Sequence, residues 1–271
     1  MAYRIGVTGG YNTGKSFSRS FMRKGEENFV LSPSKKRLYL QDENGKELNQ
    51  LLDARTQNSP NTEALMEAMG VTNRYSVFLN LMNKRKEAKY SGNWALVDHI
   101  RQLPIYLSII SEHMPEIKNV FMPDFTHYIS KISVSKEFMD SAVGNKAYSR
   151  FYDLAADALR AFFLHTDTLR DDLVIITEFH QVMDTNTDTY KILVPLGKML
   201  EEKFLPDSYY DVMLCTHVDP NEDGEYGPDS YKFVTRRWGQ YNARSMEMFE
   251  DTLIPNNMQT VIDKVRETLN I

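Results

Sequence analysis

Gly9-Gly10-Tyr11-Asn12-Thr13-Gly14-Lys15-Ser16 stands directly after the strand-like run Tyr3-Arg4-Ile5-Gly6-Val7 and directly before Phe17-Ser18-Arg19-Ser20-Phe21. The spacing fits G-x-x-x-x-G-K-[ST], the phosphate-binding loop known as Walker A. Its glycines let successive backbone N–H groups wrap around a β-phosphate. Lys15 reaches the β- and γ-phosphates, and the Ser16 hydroxyl ligates Mg²⁺. The context is the one such a loop needs: a strand before it, and a short helix over Ser16 to Phe21 whose positive end faces the phosphates. Phe17 and Phe21 lie four apart, on one face of that helix. The nucleotide-contacting set expected from the motif is Gly9, Gly10, Tyr11, Asn12, Thr13, Gly14, Lys15, Ser16 and Phe17.

Outward from the loop, strand and helix patterns alternate. Strands are predicted at 28–31, 119–124, 173–177, 209–216 and 230–236. Helices are predicted at 98–113, with Pro104 as a possible kink, and at 146–164, where Phe151, Leu154, Ala155, Ala158, Leu159 and Phe162 share a face. Two more follow at 193–204 and after Ile254-Pro255-Asn256-Asn257, the last with an asparagine cap. This order predicts an α/β chain with a mainly parallel sheet and helices on both faces. Residues 42–93 are polar and read as an insertion within a single domain spanning 1–271.

A phosphate-binding loop needs a second carboxylate at a strand end to hold the Mg²⁺ shell. Two candidates exist, Asp124 after Val120-Phe121-Met122-Pro123 and Glu178 after Leu173-Val174-Ile175-Ile176-Thr177, and Asp124 is preferred for that role. Glu178 and His180, taken to sit at the tip of the following strand, are assigned to the γ-phosphate or the attacking water. His127 carries a weaker case. Arg236 and Arg237 end a late strand and can supply positive charge across a subunit boundary, although surface ion pairs explain them equally well. Cys215-Thr216-His217-Val218-Asp219 has histidine where a guanine-reading T-K-x-D loop has lysine, which argues against GTP. Of the basic clusters, Lys84-Arg85-Lys86 with Tyr90 and Trp94 nearby has the composition to touch single strands, and Lys35-Lys36-Arg37 reads as a solvated face.

Composition sets outer bounds. The 271 residues carry 32 Lys and Arg against 37 Asp and Glu, a net charge of −5, so the chain is no general polycation for coating nucleic acid. Cys215 is the only cysteine, which excludes an intrachain disulfide or a cysteine-rich zinc site. No apolar stretch approaches membrane-spanning length, and the N-terminus lacks signal-peptide character. These features predict a cytoplasmic protein, in the host cytoplasm if the source is viral.

Taken in order, the loop Gly9–Ser16, Asp124-Phe125-Thr126, Val174 to His180, and Tyr241-Asn242-Ala243-Arg244-Ser245 with Met248-Phe249 and Ile254-Pro255-Asn256-Asn257 resemble the phage RecA-core P-loop ATPases of single-strand annealing and recombination. The resemblance covers roughly residues 1–31 and 98–269. Arg244 and Asn257 depart from the lysine and aspartate usual in that family, and no residue stands out as its extra catalytic glutamate. The resemblance implies a RecA-like fold, ATP and Mg²⁺ as cofactors, ATP hydrolysis, single-stranded DNA as a partner and a homo-oligomer. Two rivals stay open: a small-molecule or nucleotide kinase with 42–93 as its lid, and a nucleotide-gated assembly or packaging component.

Overall fold

The computed structural model describes residues 1–24, 27–34, 52–53, 94–97, 99–134, 140 and 147–271. The strands in chain order are β1 (Tyr3–Gly9), β2 (Asn28–Ser32), β3 (Leu52–Asp53), β4 (Trp94–Leu96), β5 (Asn119–Met122), β6 (Val174–Asp184), β7 (Thr189–Ile192), β8 (Val212–Val218), β9 (Tyr231–Val234) and β10 (Leu253–Pro255). The α-helices are α1 (Leu103–His113), α2 (Phe125–Ile132), α3 (Ala147–Thr166), α4 (Lys198–Lys203) and α5 (Met258–Leu269). Nine strands lie side by side in the order β10-β9-β8-β1-β6-β5-β2-β4-β3, and β7 pairs with the far half of β6. From β8 to β3 every pairing is parallel; β9, β10 and β7 pair antiparallel.

The sheet is covered on both faces, as the alternation of strand and helix predicts. Side chains alternate along each strand. Ile175 and Phe179 of β6 and Val120 and Met122 of β5 pack with α1, α2 and α3. Ile5 and Val7 of β1, Val174 and Ile176 of β6, and Phe121 of β5 pack with α5. Two buried faces explain why these strands read as continuous apolar runs. The stripe predicted on the last helix is the buried one, Met258, Val261, Ile262 and Val265, and Asn257 caps it by accepting from the Thr260 N–H at 3.3 Å.

Several boundaries differ from expectation for local reasons. Pro104 does not kink a helix: it occupies the first turn of α1, where its missing N–H has no intrahelical partner to lose. A 3₁₀ turn at Ile100–Gln102, capped by His99, precedes it. The helix expected over 193–204 shrinks to α4, because Leu196 and Gly197 adopt positive φ of 80° and 89° and delay its start. β6 runs seven residues past Thr177 and turns back as β7. Leu52–Asp53 joins the sheet through β4. The remainder of 42–93 lies outside the described residues, as do Lys35-Lys36-Arg37 and Lys84-Arg85-Lys86 with Tyr90. Among the described residues, no helix is long and apolar enough to cross a membrane.

The topology makes a crevice at one place. From β1 the chain passes out to β2, fills inward through β5 to β6, then crosses β1 to reach β8. Ligands of open parallel sheets bind outside the carboxyl ends of strands where the winding reverses in this way. Register brings the relevant residues to that edge: Gly9 pairs with His180, Thr8 with Cys215, and Met122 with Thr177.

Candidate nucleotide-binding site

A cleft of about 770 Å³ opens at this edge. Tyr11 to Phe17 form its floor, Asp124 and His180 one wall, and Tyr226, Gly227, Pro228 and Tyr231 the other. The motif residues from Tyr11 onward, Asp124 and His180 thus converge from β1, β5 and β6. Tyr11 and Tyr226 are strongly exposed for aromatic residues, at 80% and 66%.

The loop is held from below. Thr13 Oγ1 lies 2.6 Å from Thr216 Oγ1 of β8 and 2.9 Å from the Gly10 carbonyl. Gly9 is required at this crossing: a Cβ there would stand 1.8 Å from Thr216 Oγ1 and 2.7 Å from Thr13 Oγ1. Gly14 is required for a different reason, since its φ is +90° and a Cβ would meet the Tyr231 ring at 2.8 Å. Lys15 is buried, and its Nζ donates to the carbonyls of Gly9 at 2.8 Å and Gly10 at 2.5 Å. The ammonium therefore lies folded onto the loop it would leave to meet a phosphate. Gly9→Ala is expected to cost about 1–3 kcal/mol by overpacking, and to weaken nucleotide binding by breaking the Thr13–Thr216 contact. Urea unfolding and ligand titration on the one variant measure both effects.

After the loop comes a five-residue 3₁₀ turn, Phe17–Phe21, rather than an α-helix. So short an element has little macrodipole, so an anion bound here would be held by loop N–H groups and Lys15. Phe17 packs edge-on to Phe21 with ring centroids 5.2 Å apart, and 5.8 Å from Tyr231.

Asp124 sits between β5 and α2 in the left-handed region, at φ 53° and ψ 41°. Pro123 falls just past the last paired residue of β5, so it removes no ladder bond. Asp124 Oδ1 is 3.8 Å from His180 Nε2, and the Tyr11 ring lies 4.4 Å from the His180 ring. The Thr126 hydroxyl accepts from the His180 N–H at 3.0 Å and ties β6 to α2. His127 is exposed and does not line the cleft.

Glu178 is not in the cleft. It pairs with Val7, one step below His180 on the same face of β6, and is 2% exposed. Its carboxylate forms a buried ion pair with Arg19, whose guanidinium lies 5.9 Å from the Phe121 ring centre. The expected contact with a γ-phosphate is therefore corrected: β6 does not end at Thr177, so Glu178 is not a tip residue. Arg236 and Arg237 are also outside the cleft. β9 runs antiparallel to β8, and Val234 lies opposite Cys215, so the strand leads away from the loop end. Arg236 donates to the carbonyls of Phe249 (2.6 Å) and Glu250, and Arg237 is exposed.

His217 does not present itself to the cleft as a base reader would. Its Nε2 lies 2.8 Å from Asp219 and its Nδ1 2.8 Å from the Tyr241 hydroxyl. Burial pushes the Cys215 thiol up to about 12, so it has no nucleophilic character at neutral pH. Tyr226, Pro228 and Tyr231 are site residues that the sequence reading did not assign to the site, and Thr216 entered it only through the comparison with a T-K-x-D loop and as the end of a predicted strand.

The chain matches no known protein-family model and no curated protein sequence.

Proposed function

We propose that this chain is an ATP-binding and ATP-hydrolysing protein with a RecA-like core that acts with single-stranded DNA in phage recombination, annealing or replication. The observation that carries the nucleotide part is the cleft, where the Gly9–Ser16 loop, Asp124 and His180 meet at the carboxyl ends of three adjacent parallel strands. The order β8-β1-β6-β5-β2 is consistent with a RecA-like core without being particular to it. The DNA and phage part is supported by sequence resemblance alone.

In this reading Lys15 exchanges two backbone carbonyls for β- and γ-phosphate oxygens. Phe17, Tyr226, Pro228 and Tyr231 offer ring faces to the base. Ser16 Oγ and the Asp124 carboxylate are hard oxygen donors on the cleft lining, the set Mg²⁺ takes while keeping several waters. The bound ion would neutralise charge developing on the phosphate oxygens. His180 hydrogen-bonds the γ-phosphate or orients the water whose oxygen bonds to the γ-phosphorus as the bond to the bridging oxygen breaks and ADP leaves. Asp124→Asn keeps the shape and tolerates the left-handed backbone, so it is expected to fold while raising the Mg²⁺ concentration needed for half-maximal turnover by about tenfold or more. A Mg²⁺ titration of turnover reads this directly.

ATP turnover with and without single-stranded DNA, together with the mass of the complex, tests the assignment as a whole. The proposal expects stimulation by DNA that weakens with salt, as phosphate contacts release counterions. It also expects an ATP-dependent oligomer in which Arg236 or Arg237 acts on a neighbour's nucleotide. Mixing Lys15→Ala with the double variant Arg236→Ala/Arg237→Ala should then restore part of the turnover. A monomer with no recovery on mixing, and phosphoryl transfer to a nucleotide acceptor, would favour a kinase instead.

A further inference from the structure

Ile254-Pro255-Asn256-Asn257 joins the last strand to the last helix, and three of its residues have evident work. Ile254 is in the core, Pro255 pairs with Lys232, and Asn257 caps α5. Asn256 does not. Its side chain is 97% buried, and neither Nδ2 nor Oδ1 has a hydrogen-bond partner among the described residues. A buried primary amide is expensive to leave unpaired, because both its donors and its acceptor have lost water.

The position of this amide gives it meaning. A Cβ built on Gly14 would lie 3.4 Å from Asn256 Cγ and 2.8 Å from Tyr231 Cδ1. The amide is therefore packed against the loop at Gly14, beside the Tyr231 ring. The Asn256 N–H donates to the Tyr231 carbonyl at 3.2 Å, which fixes the residue's backbone next to a cleft-lining residue. In the same loop, Lys15 Nζ occupies the carbonyls of Gly9 and Gly10. A loop that wraps phosphate turns its N–H groups toward the anion, so its carbonyls turn outward and need donors behind them.

We propose that Asn256 is a positioning residue for nucleotide: its amide is held against Gly14 to receive the Thr13–Lys15 backbone when phosphate draws that segment into its bound shape. The unpaired state belongs to the loop with Lys15 folded onto its carbonyls, and the hydrogen bond forms in the phosphate-bound loop. Asn256 touches no phosphate itself and acts through the loop. The idea rests on the nucleotide reading above and adds a residue that reading does not use.

The two roles an asparagine can have here predict opposite signs. If Asn256 merely supports the fold, removing its amide lowers the stability of the nucleotide-free protein. If it waits for the bound loop, Asn256→Leu, with the same branching and number of side-chain heavy atoms, leaves nucleotide-free stability unchanged or raised and weakens Mg-ATP affinity by about tenfold. Thermal unfolding of the full chain with and without Mg-ATP separates these cases, with Asn256→Val as a second variant that is likewise uncharged and has no amide to donate. The expected result is a wild type that Mg-ATP stabilises and two variants that unfold no earlier without nucleotide but gain less from it. Variants that gain as much as wild type, or that unfold early without nucleotide and keep their affinity, would overturn the proposal. A wild type that gains nothing from Mg-ATP would instead overturn the nucleotide reading itself.

Discussion

Lys15→Ala is expected to lower ATP turnover by about 10²- to 10³-fold, with the sheet still folded. The ammonium is the one cation that the loop itself brings to the cleft floor, and its 8% exposure shows that its stem is packed rather than solvated. Removing it takes away charge stabilisation at the β- and γ-phosphates, which no neighbouring side chain of the floor can replace. The cost to the fold is small by comparison. Of the two carbonyls it satisfies, on Gly9 and Gly10, the one on half-buried Gly10 is open to water, which can take its place. Steady-state phosphate release, with circular dichroism as the control for folding, measures both halves. A folded variant with wild-type turnover would remove Lys15 from the chemistry.

Glu178→Gln is expected to act on stability instead, by about 3–5 kcal/mol. Glu178 and Arg19 are each about 2% exposed, and they neutralise one another between β6 and the 3₁₀ turn after the loop. Glutamine takes away the carboxylate charge that faces the buried guanidinium beside Phe121. For a domain whose total stability is of the order of 5–15 kcal/mol, such a loss is severe. Replacing both partners with apolar residues of similar volume, as in Arg19→Met/Glu178→Leu, should recover most of it, because no lone charge remains. Urea unfolding of the single and double variants gives the coupling. Equal stability of wild type and Glu178→Gln would mean that the pair contributes nothing to the fold.

Glu178 also shows where the sequence stops being legible. The pattern Val174-Ile175-Ile176-Thr177 marks a buried strand but cannot mark its end, because β6 continues as a half-exposed hairpin arm whose polar residues resemble a loop. Ending the strand at Thr177 moved Glu178 to the tip; the register with β1 puts it at Val7 and gives the position opposite Gly9, the last residue of β1, to His180. The place of the Gly9–Ser16 loop and of Asp124 in the fold was readable because each depends on a short contiguous stretch: eight residues in one case, a buried run closed by a carboxylate in the other. The opposite wall of the cleft was not. Tyr226, Pro228 and Tyr231 reach it only because β9 pairs antiparallel with β8, and nothing in the Ser230–Arg236 stretch announces that direction. The same reversal took Arg236 and Arg237 away from the loop end. The parallel core was legible for a simpler reason, since strands buried on both faces leave no polar alternation to misread.

Equilibrium titration of the purified full chain with ATP, in the presence of Mg²⁺ and then of a chelator, tests the central claim most directly. The cleft predicts saturable binding at one site per chain that weakens when Mg²⁺ is removed, weakens further in Lys15→Ala, and survives unchanged in a variant of exposed His127, which lies off the cleft. Absence of binding by the folded wild type at millimolar Mg-ATP, or binding that Lys15→Ala leaves intact, would contradict it.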